Sequence, residues 1–143
     1  MLVLSGSILR RTLHPLHAIL LAFPLSMFPG ALLSDVAYWE TYHVQWSNFS
    51  SWLIVGGMIG ATGALLWALV GLVLAWRAGE RMPIAYVGVL LVMWVLGFIN
   101  ALVHAKDAWA TMPEGLYLSA ATTILALVAA WRGYSGFRIE EVG

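Results

Sequence analysis

Cysteine is absent from this 143-residue chain, and charged residues make up only 10% of it. Without cysteine there is no disulfide, thiolate nucleophile, iron–sulfur cluster or thioether-linked haem. A metal ligand would have to be a histidine, a methionine or a carboxylate, and the sequence leaves the identity of any metal unknown. Because seven basic and seven acidic residues give a formal net charge of zero, no basic field favours nucleic acid as a partner.

Motifs of soluble enzymes are also missing. The chain has no glycine-rich phosphate loop, no nucleophile elbow and no His-Glu-x-x-His metal helix. We therefore assign no catalytic residue and expect no enzymatic activity from the chain by itself.

Apolar residues, by contrast, are abundant and come in long blocks. They make up 62% of the chain, which is more than a soluble domain usually contains. Four blocks are long enough to cross the hydrocarbon core of a lipid bilayer as helices. The sequence therefore predicts an all-α, four-transmembrane-helix bundle that forms one integral membrane domain, with spans at about 13–39, 52–76, 84–105 and 113–131.

The first span carries ionisable residues near both ends. His17 and Asp35 lie eighteen residues apart, which is roughly 27 Å along an α-helix and close to the hydrocarbon thickness of a bilayer. Polar groups at such depths are costly and face protein or water rather than lipid. Pro24 and Pro29 should kink this helix, with the freed carbonyls satisfied by neighbouring helices or by Ser26.

The connections between spans have recognisable patterns. Residues 40–51 mix polar and aromatic side chains, which predicts a loop that lies at the membrane surface. Thr111 and Glu114 have the spacing of a capping box, which predicts the start of the fourth helix there.

The second span has a face of small residues that recur at every fourth position. They are Gly56, Gly60, Ala64 and Ala68. Such a face lets another helix approach closely where lipid provides no hydrophobic driving force. We favour packing within the bundle, with a homo-oligomer contact as the alternative.

The positions of the cations predict the orientation of the chain in the membrane. In the four-span order, six of the seven fall on one side: Arg10, Arg11, Arg77, Arg81, Arg132 and Arg138. Lys106 falls on the other side. By the positive-inside rule both termini are then cytoplasmic, and the loops 40–51 and 106–112 face outward.

Spans one and three run in the same direction in this arrangement, so their polar residues form two groups. His14 and His17 form a weaker, inner candidate cofactor site. The candidate site that we favour lies near the outer face and consists of Asp35, His43, Asn100 and His104. We expect Asp35 and His104 to interact directly or through one water or ligand, and a structural hydrogen bond between helices is the simpler interpretation of such a pair.

Several motifs resemble those of one bacterial membrane-protein family, the domain of unknown function twenty-two thirty-one. Three of these motifs are similar to the N-terminal part of the family's sequences: His14-Pro-Leu-His17, Phe23-Pro24-Leu25 and Ser34-Asp35. The run from Asn100 to Trp109 is similar to the family's junction between the third and fourth helices. The resemblance implies a four-helix fold in the bacterial inner (plasma) membrane and supplies no settled activity.

Three functions fit these features. We favour a noncatalytic partner that anchors or assembles other proteins of a membrane complex, because the chain is small, its loops are short and its helix faces are rich in glycine. The first alternative is a redox subunit that works with other membrane or periplasmic redox proteins. In it, His43 and His104 would hold a b-type haem from opposite sides, or His104 and Asp35 would bind a quinone headgroup. The second alternative is a small transporter or ion path, which would require a homo-oligomer.

Overall fold

The computed structural model describes residues 13–80 and 84–135 of the chain. The helices are α1 (Pro15–Thr41), α2 (Val44–Ala78), α3 (Ile84–His104), a short 3₁₀ helix (Ala108–Ala110) and α4 (Glu114–Tyr134). No strand occurs in the described ranges. All four α-helices are long and apolar enough to span a membrane. The predicted all-α, four-transmembrane-helix bundle is therefore confirmed.

The bundle is a closed ring of helices in which each one packs on the next and α4 packs back on α1. Because the connections are short, neighbours are antiparallel, so α1 and α3 are parallel and lie diagonally across the bundle. Buried positions on each helix are three or four residues apart. On α3 they include Tyr86, Leu90, Met93, Gly97, Asn100 and His104. This is the spacing of a coiled-coil seam, which keeps one stripe of each helix facing the bundle axis.

The middle of the bundle is mostly apolar, and most of its buried polar residues lie toward the ends. Leu21 and Phe28 of α1 are fully buried between Leu90 and Met93 of α3 and the other helices. On α4 the buried positions are small, as at Ala126, so the large side chains of the other helices fill the space. An apolar core of several helical turns therefore separates the two polar ends.

The small-residue face of α2 packs against α1, as we favoured from the sequence. A Cβ added to Gly60 would lie 2.7 Å from the carbonyl oxygen of Leu20 and closer still to the Cβ of Phe23. Neither atom can move unless the whole of α1 shifts. Only glycine at position 60 therefore permits the two helices to approach so closely. The Leu20 carbonyl is also the one that Pro24 deprives of its helical hydrogen bond.

The prediction of a surface loop at residues 40–51 is wrong over most of its length. Only Tyr42 and His43 separate α1 from α2, and Tyr42 makes the turn in the left-handed region with a φ of 54°. Ser47 and Ser50 are buried on the face of α2 that points into the bundle. The polar composition that suggested a loop therefore belongs to the first two turns of a long helix.

Two local predictions within the spans are also wrong. Thr111 donates its hydroxyl to the carbonyl of Asp107 at 3.3 Å, and no side chain caps the start of α4, so the capping box does not form. Ser26 donates to the carbonyls of Ala22 and Phe23, and neither of these is freed by a proline. In both cases the hydroxyl bonds to a carbonyl about one turn earlier in the chain, which is the nearest acceptor.

Much of the charge pattern that predicts the orientation falls on residues outside the described ranges. These are Arg10, Arg11, Arg81 and Arg138. The cytoplasmic location of both termini therefore stays a prediction.

Candidate functional site

Five buried polar residues meet at one end of the bundle, and we name them the Asp35 cluster. Asp35 comes from α1, Ser50 from α2, Asn100 and His104 from α3, and Ser119 from α4. Four of them are 0% exposed, and His104 is 7% exposed. Each helix of the bundle thus brings at least one polar side chain to the same point in the interior.

Both carboxylate oxygens of Asp35 have partners on other helices. Oδ1 lies 2.9 Å from Nε2 of His104, and Oδ2 accepts a hydrogen bond of 2.5 Å from the hydroxyl of Ser119. Asn100 in turn donates its amide to Ser119 Oγ at 3.0 Å. The interaction that we expected between Asp35 and His104, directly or through one water or ligand, is present as a direct contact, and it extends into a chain of hydrogen bonds across three helices.

Two features of the local sequence let the His104 ring reach this position. His104 lies one turn after Asn100 at the end of α3, so its Nδ1 bonds to the Asn100 carbonyl at 3.0 Å. Gly115, in the first turn of α4, lies beside the ring, where a Cβ would lie 2.8 Å from His104 Cε1. A larger residue at position 115 would push the imidazole out of reach of Asp35.

The hydrogen-bond partners of His104 fix how many protons the pair holds. Nδ1 must donate, because the Asn100 carbonyl has no hydrogen to give. One more proton lies between Nε2 and the carboxyl group, since two bare lone pairs would repel each other at 2.9 Å. Whether that proton is on His104 or on Asp35, the pair is net neutral, which lowers the cost of burying it in a membrane.

The cluster contains serine, histidine and aspartate but lacks the geometry of a nucleophile triad. Ser50 Oγ lies 3.4 Å from Nε2 of His104, which is the same nitrogen that contacts Asp35. The Ser50 hydroxyl also lies 3.3 Å from the carbonyl of Ala31, to which it donates. Activation of a serine requires the carboxylate and the hydroxyl on opposite ring nitrogens. The arrangement is therefore suited to joining helices rather than to nucleophilic attack.

The structure does not bring His43 into the Asp35 cluster. His43 is an exposed residue at the start of α2, and its side chain makes no capping hydrogen bond there. Because both ring nitrogens of His104 have partners inside the bundle, a haem held between these two histidines would require His104 to leave the cluster. In the described part of the chain, no group of three or more His, Cys, Asp or Glu side chains is placed to hold a metal ion.

The opposite end of the bundle has a smaller polar group, which we name the His17 cluster: His14, His17, Trp67 and Tyr86. His17 Nε2 lies 2.7 Å from the Tyr86 hydroxyl, and its Nδ1 is buried without a hydrogen-bond partner among the residues that the structure describes. The exposed His14 ring packs on Trp67 with 4.7 Å between centroids, and its Nδ1 accepts from the Leu16 amide. The two predicted inner histidines thus lie together, but only one of them is part of the interior.

Comparison with known proteins identifies the family. The family model described as "Predicted membrane protein (DUF2231)" matches residues 13–138. The chain belongs to this family. The family membership that the resemblance implied is therefore confirmed, and all residues of both clusters lie within the matched part of this DUF2231 member. Comparisons with curated proteins and with solved structures found no match.

Sequence reasoning missed two members of the Asp35 cluster. Ser119 lies on the inward face of α4 with Gly115 and Thr122, and that spacing was a usable signal. Ser50 was assigned to a loop, so its position on an inward helix face was hidden. On the other side of the bundle, Tyr86 carried no signal beyond its place in the first turn of α3.

Proposed function

We propose that this integral membrane protein is a noncatalytic partner that anchors or assembles other proteins of a membrane complex. One observation carries the proposal: the polar side chains that a reaction would use are bonded to one another inside the bundle. Asp35 has a partner on each oxygen and His104 has one on each ring nitrogen. A network of this kind holds four helices in a fixed arrangement, and the outer helix faces are left for contact with other proteins.

The redox alternative has less support. A quinone headgroup or a haem iron would have to replace Asp35 at Nε2 or the Asn100 carbonyl at Nδ1 of His104. Either exchange would leave a buried acceptor without its donor, which costs about 1–3 kcal/mol. Binding at this position would therefore have to offset the disruption of the bundle.

The transport alternative also has less support. An ion path needs polar groups or water along its length, whereas most of the buried side chains between the two clusters are apolar. Leu21, Phe28, Leu90 and Met93 fill this interval and are fully buried. A path through the centre of one chain would have to displace all four, so conduction would depend on an interface between chains.

Site-specific photo-crosslinking in intact membranes tests the proposal. We would place a benzophenone amino acid at one outward position on each helix: Leu33, Ile59, Leu102 and Ile124. A protein partner should react with one or two helix faces and give a discrete product in those variants, while the other positions serve as matched controls. Products with lipid alone from all four positions would contradict the proposal.

An absorption spectrum of the purified chain separates the proposal from the redox alternative. We expect the purified chain to show no reduced-minus-oxidised Soret or α-band signal, even from cells supplied with excess haem. A stoichiometric signal that His104→Ala abolishes, and that His43→Ala also weakens, would favour the redox subunit instead.

A further inference from the structure

The two helical hairpins of the bundle, α1–α2 and α3–α4, correspond through one shift in residue number. α1 and α3 begin at Pro15 and Ile84, which are 69 residues apart. With this shift, six buried positions of α1 fall on buried positions of α3, and six of α2 fall on buried positions of α4. Because the buried stripe of such helices repeats about every seven residues, burial alone does not fix the register, and contacts must decide it.

Contacts between the diagonal helices fix the shift at 69 residues. Three of them join a residue of α1 to the residue of α3 that lies 69 positions later. They are His17 with Tyr86, Phe28 with Gly97, and Asp35 with His104. In the second, the ring atom Cζ of Phe28 lies 3.3 Å from the place of a Cβ on Gly97. Equivalent residues on two parallel helices meet along a two-fold axis, so these contacts mark an axis that runs along the bundle.

The two serines of the Asp35 cluster are equivalent in the same way. Ser50 and Ser119 are also 69 residues apart. Each contacts two residues, and the same shift converts one pair of contacts into the other. The contacts are Asp35 and Asn100 for Ser119, and His104 and Ala31 for Ser50. The cluster therefore has two equivalent halves, one on each side of the axis.

The residues that meet on the axis are complementary rather than identical. An exact two-fold axis would place two carboxyl groups, two imidazoles or two phenylalanine rings against each other. In this chain a carboxyl group meets an imidazole, and a large ring meets a glycine. Two buried carboxylates repel each other and two large side chains overfill the same space. The differences between the hairpins therefore lie where exact symmetry would be unfavourable.

We propose that the bundle consists of two equivalent hairpins related by a pseudo-two-fold axis, and that the Asp35 cluster accepts its carboxyl group and its imidazole in either order. After His104→Asp, the Ser50 hydroxyl would donate to the new carboxylate, as Ser119 now donates to Asp35. After Asp35→His, the new Nδ1 would donate to the carbonyl of Ala31, one turn earlier, which Ser50 then leaves free. Parallel repeats related by an axis along the membrane normal occur in other membrane proteins.

Exchange of the two residues in the full chain tests the proposal. Position 46 has to change as well, because Gly115, which leaves room for the His104 ring, has Trp46 as its equivalent. All variants therefore carry Trp46→Gly, and the chain with this change alone is the reference. We would compare Asp35→His, His104→Asp and both changes together by reversible unfolding in mixed detergent micelles.

Each single change should raise the unfolded fraction by about a hundred-fold or more, since it places two imidazoles or two carboxyl groups at the axis. The two changes together should bring it back to within about ten-fold of the reference, because contacting residues compensate each other. The matched control is Asp35→Ser with Ser119→Asp, which exchanges two residues that are hydrogen-bonded but not equivalent. The proposal is overturned if the axial exchange recovers no more stability than this control exchange does.

A second measurement tests the equivalence of the two serines. In the reference chain, Ser119→Ala should be more harmful than Ser50→Ala, because Ser119 donates to the carboxyl group and Ser50 donates to a backbone carbonyl. In the chain with both axial changes, the order should reverse. An unchanged order would overturn the equivalence even where the exchanged chain folds well. Neither measurement depends on the proposed assembly function.

Discussion

Each of the two polar clusters connects the diagonally placed helices α1 and α3. The clusters differ in how many helices take part and in whether each polar atom has a partner. His17–Tyr86 and Asp35–His104 each join α1 to α3, and on both helices the two contacts lie eighteen residues apart. That distance is roughly 27 Å, which is close to the thickness of a bilayer's hydrocarbon core. At the Asp35 end all four helices take part, whereas at the His17 end one imidazole nitrogen is buried with no partner in the described part of the chain.

The difference shows what a buried carboxyl group demands. Asp35 carries a charge or a shared proton and is fully buried, so it needs several partners, and the surrounding helices supply them. The His17 imidazole bonds to the Tyr86 hydroxyl and leaves its other nitrogen unpaired among the described residues, which costs less than an unpaired carboxylate would. We therefore expect the Asp35 cluster to contribute much more to the stability of the bundle than the His17 cluster does.

The largest expected effect is that of Asp35→Ala. Removing the carboxyl group leaves Ser119 without its acceptor and His104 Nε2 with only the 3.4 Å contact to Ser50, and breaking a buried pair in this way costs about 3–5 kcal/mol. The free energy of unfolding in mixed detergent micelles measures it. Asp107→Ala, which removes an exposed carboxyl group at the same end, is the control and should change little. Equal losses in the two variants would mean that the cluster does not stabilise the bundle.

A somewhat smaller loss is expected from Gly60→Leu, which tests whether both clusters depend on the α1–α2 seam. The new side chain would meet the backbone of α1 at Leu20, and such overpacking costs about 1–3 kcal/mol. Because α1 carries both His17 and Asp35, its displacement should weaken both ends. Gly88→Leu is the control, since no described atom outside the neighbouring turns of α3 lies within 4 Å of a Cβ there. If the two variants melt alike in a thermal scan, the seam is not a close-packing contact.

Ser119→Ala should have an intermediate effect within the Asp35 cluster. It removes the short donor to Asp35 and the acceptor for Asn100, with an expected loss of about 1–2 kcal/mol. The matched control is Ser51→Ala, because the Ser51 hydroxyl bonds only to a carbonyl of its own helix among the described contacts. A detergent-unfolding comparison in which Ser51→Ala is the more harmful change would refute the role of Ser119.

The smallest expected effect is that of His17→Phe. The substitution removes the bond to Tyr86 but also removes the unpartnered nitrogen, so the two contributions oppose each other and the loss should stay below about 1 kcal/mol. The comparison variant is His104→Phe, which should lose substantially more in the same unfolding assay. Equal losses would remove the distinction between the two ends.

Much of the fold was predictable from the sequence, because span length and apolar composition decide membrane helices almost alone. The parallel relation of α1 and α3 followed from the number of spans, and it brought Asp35 and the Asn100–His104 turn to the same depth. The start of α2 was not predictable in this way, since Ser47 and Ser50 have the composition of a loop. Their place in a helix depends on the tertiary contact that their small side chains permit.

The site was predictable only in part, for a related reason. Spacing along one helix placed Asn100 and His104 on one face, but it could not say which of four helices would supply the remaining partners. His43 was grouped with them because it follows the first span closely in the sequence and was therefore expected near the outer face. Its side chain is instead exposed at the start of α2. Ser119 and Ser50 are ordinary small residues on packing faces, so their polar role appears only once Asp35 is placed beside them.

The account depends most on the claim that Asp35 and His104 bond to each other within the isolated bundle. A double-mutant cycle with Asp35→Asn and His104→Ala, measured by unfolding of the purified chain, tests it directly. Since contacting residues couple and distant ones do not, we predict a coupling energy of about 1 kcal/mol or more for this pair. The same cycle with Asp35→Asn and His17→Phe, at the far end of the bundle, should be additive. Additive losses for Asp35 and His104 would contradict the account.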